Sequence, residues 1–195
     1  LYLRFIRGAL DSSDLPLNVS REILQDHPLV DSIKKALTKR VIDALKKLKD
    51  NDIDAYKEFW KEYGLVLKEG PAEDFEHKES IAELLLFATS NKESHEVDQT
   101  LDDYISRMPS DQKGIYYCVA DTFEGALNSP HLESLKSKNT EVLLLTDRID
   151  EWLMSTLFEF KGKSFINVAK TSNEAEEKPK TCLLYTSDAA DDVVR

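Results

Sequence analysis

The 195-residue chain predicts an α/β fold, with helices through its first half and a small layered sheet in its second. Three observations carry this. Between residues 29 and 63 apolar side chains recur every three or four positions, the spacing of amphipathic helices. From Gly114 the pattern changes to short runs that are apolar at nearly every position, as in strands buried on both faces. Two such runs, Ile115-Tyr116-Tyr117-Cys118-Val119-Ala120 and Glu141-Val142-Leu143-Leu144-Leu145-Thr146, flank a helical stretch at the spacing of a strand–helix–strand unit. The sheet expected from that unit is short, mainly parallel and covered on both faces, an α/β/α arrangement.

The elements follow in order. Tyr2-Leu3-Arg4-Phe5-Ile6-Arg7 reads as a strand. Pro16 fixes its own φ and pushes Leu15 toward an extended backbone, so residues 14–16 form a loop. Asn18 and Ser20 are candidate N-caps, and Glu22 suits the first turn of a helix running to about Gln25. Unpaired N–H groups at such a helix start attract anions, and Arg21 adds a planar, bidentate donor for phosphate oxygens. On local chemistry alone, an Arg in that position is by default a solvated side chain or a carboxylate partner.

Residues 29–48 predict a helix with Ile33, Leu37, Val41, Leu45 and Leu48 turned inward. Its lysine-rich outer face (Lys34, Lys35, Lys39, Lys46, Lys47) reads as solvated. Ile53, Tyr56, Phe59, Trp60 and Tyr63 form the packing stripe of a second helix, with Gly64 as its stop. Residues 68–74 read as a turn-rich connector. A third helix follows, burying Ile81, Leu84, Leu85 and Phe87. Residues 89–99 are loop-like, and a short helix runs from Thr100 or Leu101 to Met108. Residues 122–128 and 131–138 are helical between the two strands. A helix at 148–160 and a strand at 164–169 complete the pattern. Residues 172–180 are charged, contain Pro179 and read as a linker.

Composition excludes several classes. A net charge of −11 and a pI near 4.9 argue against a nucleic-acid surface. No apolar run approaches membrane-spanning length. Cys118 and Cys182 form no metal or redox motif, and Cys118 reads as a small core residue. His27, His77, His95 and His131 are scattered, so no metal site is expected. The six glycines are dispersed, with no Gly-rich nucleotide cradle.

Leu15-Pro16-Leu17-Asn18-Val19-Ser20-Arg21-Glu22-Ile23-Leu24-Gln25 resembles the catalytic loop of the heat-shock protein 90 chaperones, in particular the bacterial high-temperature protein G type. The lead-in Tyr2-Leu3-Arg4-Phe5-Ile6-Arg7-Gly8 is similar to the family's, as is Gly64-Leu65-Val66-Leu67-Lys68-Glu69-Gly70. Asp103-Tyr104-Ile105-Ser106-Arg107-Met108 and Glu141-Val142-Leu143-Leu144-Leu145 with Asp147-Arg148-Ile149-Asp150-Glu151-Trp152 extend the likeness in the family's order. The resemblance implies a middle-domain piece of an ATP-dependent chaperone. Residues 1–28 would close a large subdomain, 29–110 form a helical coil, 111–170 a small α/β subdomain, and 171–181 a linker. Arg21 would reach the γ-phosphate of ATP held by an N-terminal domain, assisted by Gln25. ATP and Mg2+ would be held mainly by that missing domain, so this piece alone is expected to be inactive as an ATPase. Glu151 and Trp152 would contact unfolded client proteins, with Leu153, Met154 and Phe158 extending the apolar face. Other chaperones, a homodimer formed through a missing C-terminal domain, a stress-response role and a cytoplasmic location are implied in the same way. A stand-alone interaction module without ATP linkage is the competing expectation.

The likeness stops near Lys180. Cys182-Leu183-Leu184-Tyr185-Thr186-Ser187-Asp188-Ala189-Ala190-Asp191 is the translation of TGT CTC TTA TAC ACA TCT GAC GCT GCC GAC. That DNA resembles a transposon mosaic end used in library preparation, so residues 182–195 are expected to be non-biological.

Overall fold

The computed structural model describes residues 2–9, 28–91 and 95–170. The loop around Pro16 with Arg21 and Gln25, the linker and the tail with Cys182 lie outside the described residues.

Two long helices come first, α1 (Pro28–Asn51) and α2 (Ile53–Leu67). Asp52 separates them, and its carboxylate accepts the Ala55 N–H at 3.0 Å, capping one of the unpaired donors of α2. The inward face of α1 keeps Val41, Leu45 and Leu48 of the predicted stripe and adds Ile42. Ile42 and Leu45 are its buried residues, whereas Leu37 is exposed among the described residues. The aromatic stripe of α2 packs inward through Tyr56, Phe59 and Trp60, while Ile53 and Tyr63 are partly exposed, Tyr63 stacking on Phe5. Gly64 does not end α2, which continues to Leu67. A Cβ at Gly64 would stand 2.7 Å from the Trp60 ring, so close packing rather than termination explains the glycine.

Residues 70–73 are helical rather than a plain turn, forming α3 (Gly70–Glu73), followed by α4 (Lys78–Ala82). The third predicted helix therefore stops early. Leu84 N–H reaches the Ile81 carbonyl and Leu85 N–H the Ala82 carbonyl, and the chain then extends into β1 (Leu86–Thr89). An all-apolar run satisfies a buried helix and a buried strand equally, and the neighbouring strands decide it. Next come β2 (Gln99–Thr100) and α5 (Leu101–Arg107), capped by the Thr100 hydroxyl, which accepts the Asp103 N–H at 3.0 Å. The remaining elements are β3 (Ile115–Val119), α6 (Phe123–Leu127), α7 (Pro130–Lys136), β4 (Leu143–Leu145), α8 (Arg148–Thr156), β5 (Glu159–Phe160) and β6 (Lys163–Asn167). The helix predicted to reach residue 160 ends at Thr156. Lys161 and Gly162, with φ of 48° and 74°, turn β5 back onto β6 instead.

The sheet has the order β2-β1-β4-β3-β6-β5. Its centre, β4–β3–β6, is parallel as expected; the outer pairs are antiparallel, which makes the sheet mixed. Strand periodicity sorts its side chains onto two faces. Phe87, Ile115, Leu143 and Leu145 join the larger core with α1, α2, α4, α5 and α8. Ala88, Cys118 and Leu144 face the opposite way, against Phe123, Ala126 and Leu132 of α6 and α7. The result is helix, sheet, helix in three layers. Strands β1 and β2, upstream of residue 111, belong to this same sheet. Tyr104 fastens α5 to it: its hydroxyl donates to the Glu141 carbonyl at 2.7 Å and accepts the Tyr116 N–H at 3.1 Å. Burial pushes that hydroxyl up to about 12.

Residues 2–5 form a turn, not the predicted strand. No strand lies beside them among the described residues; their polar groups go to α3 and its end instead. Tyr2 N–H donates to Glu73 at 2.8 Å, Tyr2 hydroxyl to Asp74 at 2.8 Å, and Arg4 pairs with Glu69. Burial alone would raise the Asp74 carboxyl, but hydrogen bonds from Tyr2 and His77 outweigh it and hold the group below its ordinary value. A carboxyl lowered on folding adds stability above the unfolded-state pKa of about 4 and loses it as pH falls. Asp74→Asn is therefore expected to cost about 1 kcal/mol at neutral pH, with the difference from wild type shrinking as the pH falls below about 4. Urea unfolding across a pH series measures this; a pH-independent gap would contradict it.

Candidate functional site

Helix α8 places the predicted client-contacting residues. Asp147 precedes it with an extended backbone (φ −86°, ψ 143°). Its N–H donates to Asp150 Oδ2 at 3.0 Å, and the Asp150 N–H donates to the Asp147 carbonyl at 2.9 Å. Asp150 and Glu151 in the first turn also suit the positive end of the helix. Along α8, Asp150, Leu153 and Met154 face inward and are buried. Glu151 and Trp152 point outward, and Trp152 is 42% exposed. The expected apolar extension is thus divided. Leu153 and Met154 belong to the core, because residues three and four positions after Asp150 share its face. Phe158, just past the helix, is 66% exposed, and Lys78 Nζ stands 5.3 Å from its ring centre. Lys78 also donates to the Thr156 carbonyl, tying this end of α8 to α4.

Beside Phe158 a cleft of about 480 Å³ opens between the end of α8 and β6. Apolar Met154, Leu157, Phe158, Phe165 and Ile166 line it with Tyr117, but Ser155, Asn167 and Lys170 make its wall about as polar as apolar. A wider hollow of about 1070 Å³ lies between α2 and residues 95–98. Three of the acids that line it are held locally: Asp98 by Lys57 at 3.4 Å, Glu58 by Lys61 at 2.6 Å, and Asp52 as the α2 cap. An acidic rim of this kind repels phosphates.

Sequence reasoning missed what fixes α8. Lys68, one residue past α2 and 3% exposed, donates to Asp150 Oδ1 at 2.7 Å and to Asp147 Oδ2 at 2.8 Å. Its ammonium also stands 5.7 Å from the Phe87 ring centre. Asp150 is fully buried, and burial pushes its carboxyl up against the opposing pull of Lys68 and the Asp147 amide. The Asp147-x-x-Asp150 spacing is a legible capping signal. Nothing in the chain marks Lys68 as its partner, 82 residues from Asp150. Arg21 and Gln25 lie outside the described residues, so α8 is the predicted site that can be built here. Among the described residues no three His, Cys, Asp or Glu side chains gather to hold a metal, and no helix is long and apolar enough to span a membrane.

The fold is that of a chaperone middle domain. It superposes on the middle domain of a putative heat shock protein from Plasmodium falciparum with a TM-score of 0.68 and 36% identity, covering 73% of this chain and 58% of that one. Residues 1–183 match the family model described as Hsp90 protein, and the chain belongs to the Hsp90 family. It is 57% identical over 169 residues to the chaperone protein HtpG of Pasteurella multocida, and 55% identical over 176 residues to that of Salmonella typhi. These alignments take in 87% and 90% of this chain but 27% and 28% of the relatives, so the chain spans about a quarter of their length.

Removing one partner of a buried ion pair strands the other's charge. Lys68→Met is expected to lower stability by about 3–5 kcal/mol in urea unfolding. A loss under about 1 kcal/mol would mean that the pair is more solvated than its burial implies.

Proposed function

We propose that this chain supplies the middle segment of an ATP-dependent chaperone that binds and remodels unfolded or partly folded proteins. Membership of the Hsp90 family supports this reading, and the observation that carries the client contact is Trp152, exposed on a helix whose opposite face is locked into the core. Arg21 completes the ATP site of an N-terminal domain, placing its guanidinium at the γ-phosphate, and Gln25 assists it. Charge that develops on the transferred phosphoryl group is stabilised by such a donor. ATP and Mg2+ are held mainly by the N-terminal domain, which leaves this segment without appreciable turnover of its own. Glu151 and Trp152 meet client chains. Dimerisation through a C-terminal domain, cooperation with other chaperones, a role in the stress response and a cytoplasmic location complete the proposal.

The test grafts residues 1–181 into an intact bacterial HtpG and changes Arg21→Ala. ATP turnover is expected to fall at least about 100-fold with folding unchanged, the scale on which phosphate-directed arginines act. Unchanged turnover would instead favour an interaction module with no link to ATP.

A further inference from the structure

Helix α8 is nine residues long, too short to hold its own shape in water. Its orientation, and with it the direction in which Glu151 and Trp152 point, comes from what its inner face touches. Leu153 and Met154 supply apolar contact, which is non-directional and tolerates sliding and small rotations. The Lys68–Asp150 contact differs in kind. It is a hydrogen-bonded ion pair at 2.7 Å between side chains 4% and 1% exposed, so its geometry is fixed in distance and angle. Asp150 Oδ1 takes Lys68, and Oδ2 takes the Asp147 N–H at 3.0 Å. The same ammonium holds Asp147 at 2.8 Å, so both ends of the first turn of α8 are tied to one atom. That atom is itself held on the end of α2 and over Phe87.

A buried ion pair is a poor source of net stability, since an apolar pair of similar volume often does as well. What it adds is direction. We propose that Lys68 is a positioning residue: through Asp150 and Asp147 it sets the rotation of α8 about its own axis, and thereby presents Glu151 and Trp152 to an extended, unfolded polypeptide. This rests on the client-contact reading of Glu151 and Trp152 given above. Those two residues adjoin Asp150 in sequence and project about 100° and 200° around the helix from it, so any rotation at Asp150 is passed directly to them.

The decisive variant is Lys68→Met with Asp150→Leu, which exchanges the ion pair for apolar side chains and removes both charges together. The chain has two tryptophans, Trp60 and Trp152. Labelling with 5-fluorotryptophan therefore gives two fluorine resonances, the Trp152 line being assigned by its loss in Trp152→Phe. Circular dichroism confirms folding, and binding is measured with reduced, carboxymethylated α-lactalbumin, a permanently unfolded probe. The expected result is a folded double variant whose Trp152 line shifts or broadens while the Trp60 line stays. Probe affinity falls about tenfold, the cost of losing a pre-oriented contact. A Trp152 line that does not move in the folded variant overturns the proposal, whatever binding does. A moved line with undiminished binding, together with Trp152→Ala binding as wild type, upholds the positioning and overturns the client reading instead. If the double variant fails to fold, Asp150→Asn, nearly isosteric but uncharged, is subject to the same criteria.

Discussion

The structure turns on one buried cation. Lys68 leaves the end of α2 and turns into the interior, where it meets the buried Asp150, while the half-exposed Asp147 holds it from the solvent side. Desolvating an ammonium and a carboxylate is tolerable only with short, well-aligned contacts, so α2 and α8 have little freedom to move apart. The requirement joins the helical first half of the chain to the sheet. Phe87 of β1, under the same ammonium, brings the sheet into the joint.

Around that joint, ordinary packing rules are sufficient. Period-two alternation in β1, β3 and β4 gives one sheet two apolar faces, each of which must be covered. The larger core takes the long helices and α8; the smaller takes α6 and α7. Helix α8 lies at the margin of the larger core, with Leu153 inside and Trp152 outside. A margin of this sort is where a rigid helix can offer apolar surface without giving up the core beneath it. Phe158 and the cleft beside it extend the same edge toward β6.

How much of this was legible in the sequence depended on the range of the forces involved. Strands β3 and β4, helix α5 and the paired helices α1 and α2 follow from local pattern, and the sequence predicts each of them; the Thr100 cap on α5 comes from the structure. Trp152 is singled out by the family resemblance alone; only the fold shows it exposed on α8 with Leu153 and Met154 turned into the core. The misreadings lie where a distant neighbour decides. Leu84 to Ala88 fits helix or strand until β4 and β2 lie alongside. Gly64 looks like a stop until the Trp60 ring occupies the space of its missing side chain. Tyr2 looks like strand until its amide and hydroxyl find Glu73 and Asp74. Lys68 shows the limit most clearly: a lysine in a Leu-Lys-Glu-Gly run reads as surface, and only the fold shows it to be interior.

Native-state hydrogen exchange at the Asp147 and Asp150 amides tests the central claim most directly. If the Lys68 pair locks α8 to the core, these two amides open only with the whole molecule, at the same free energy as the β3 and β4 amides. Exchange at a far lower free energy, by local fraying of the first turn of α8 while the sheet stays protected, would contradict the account.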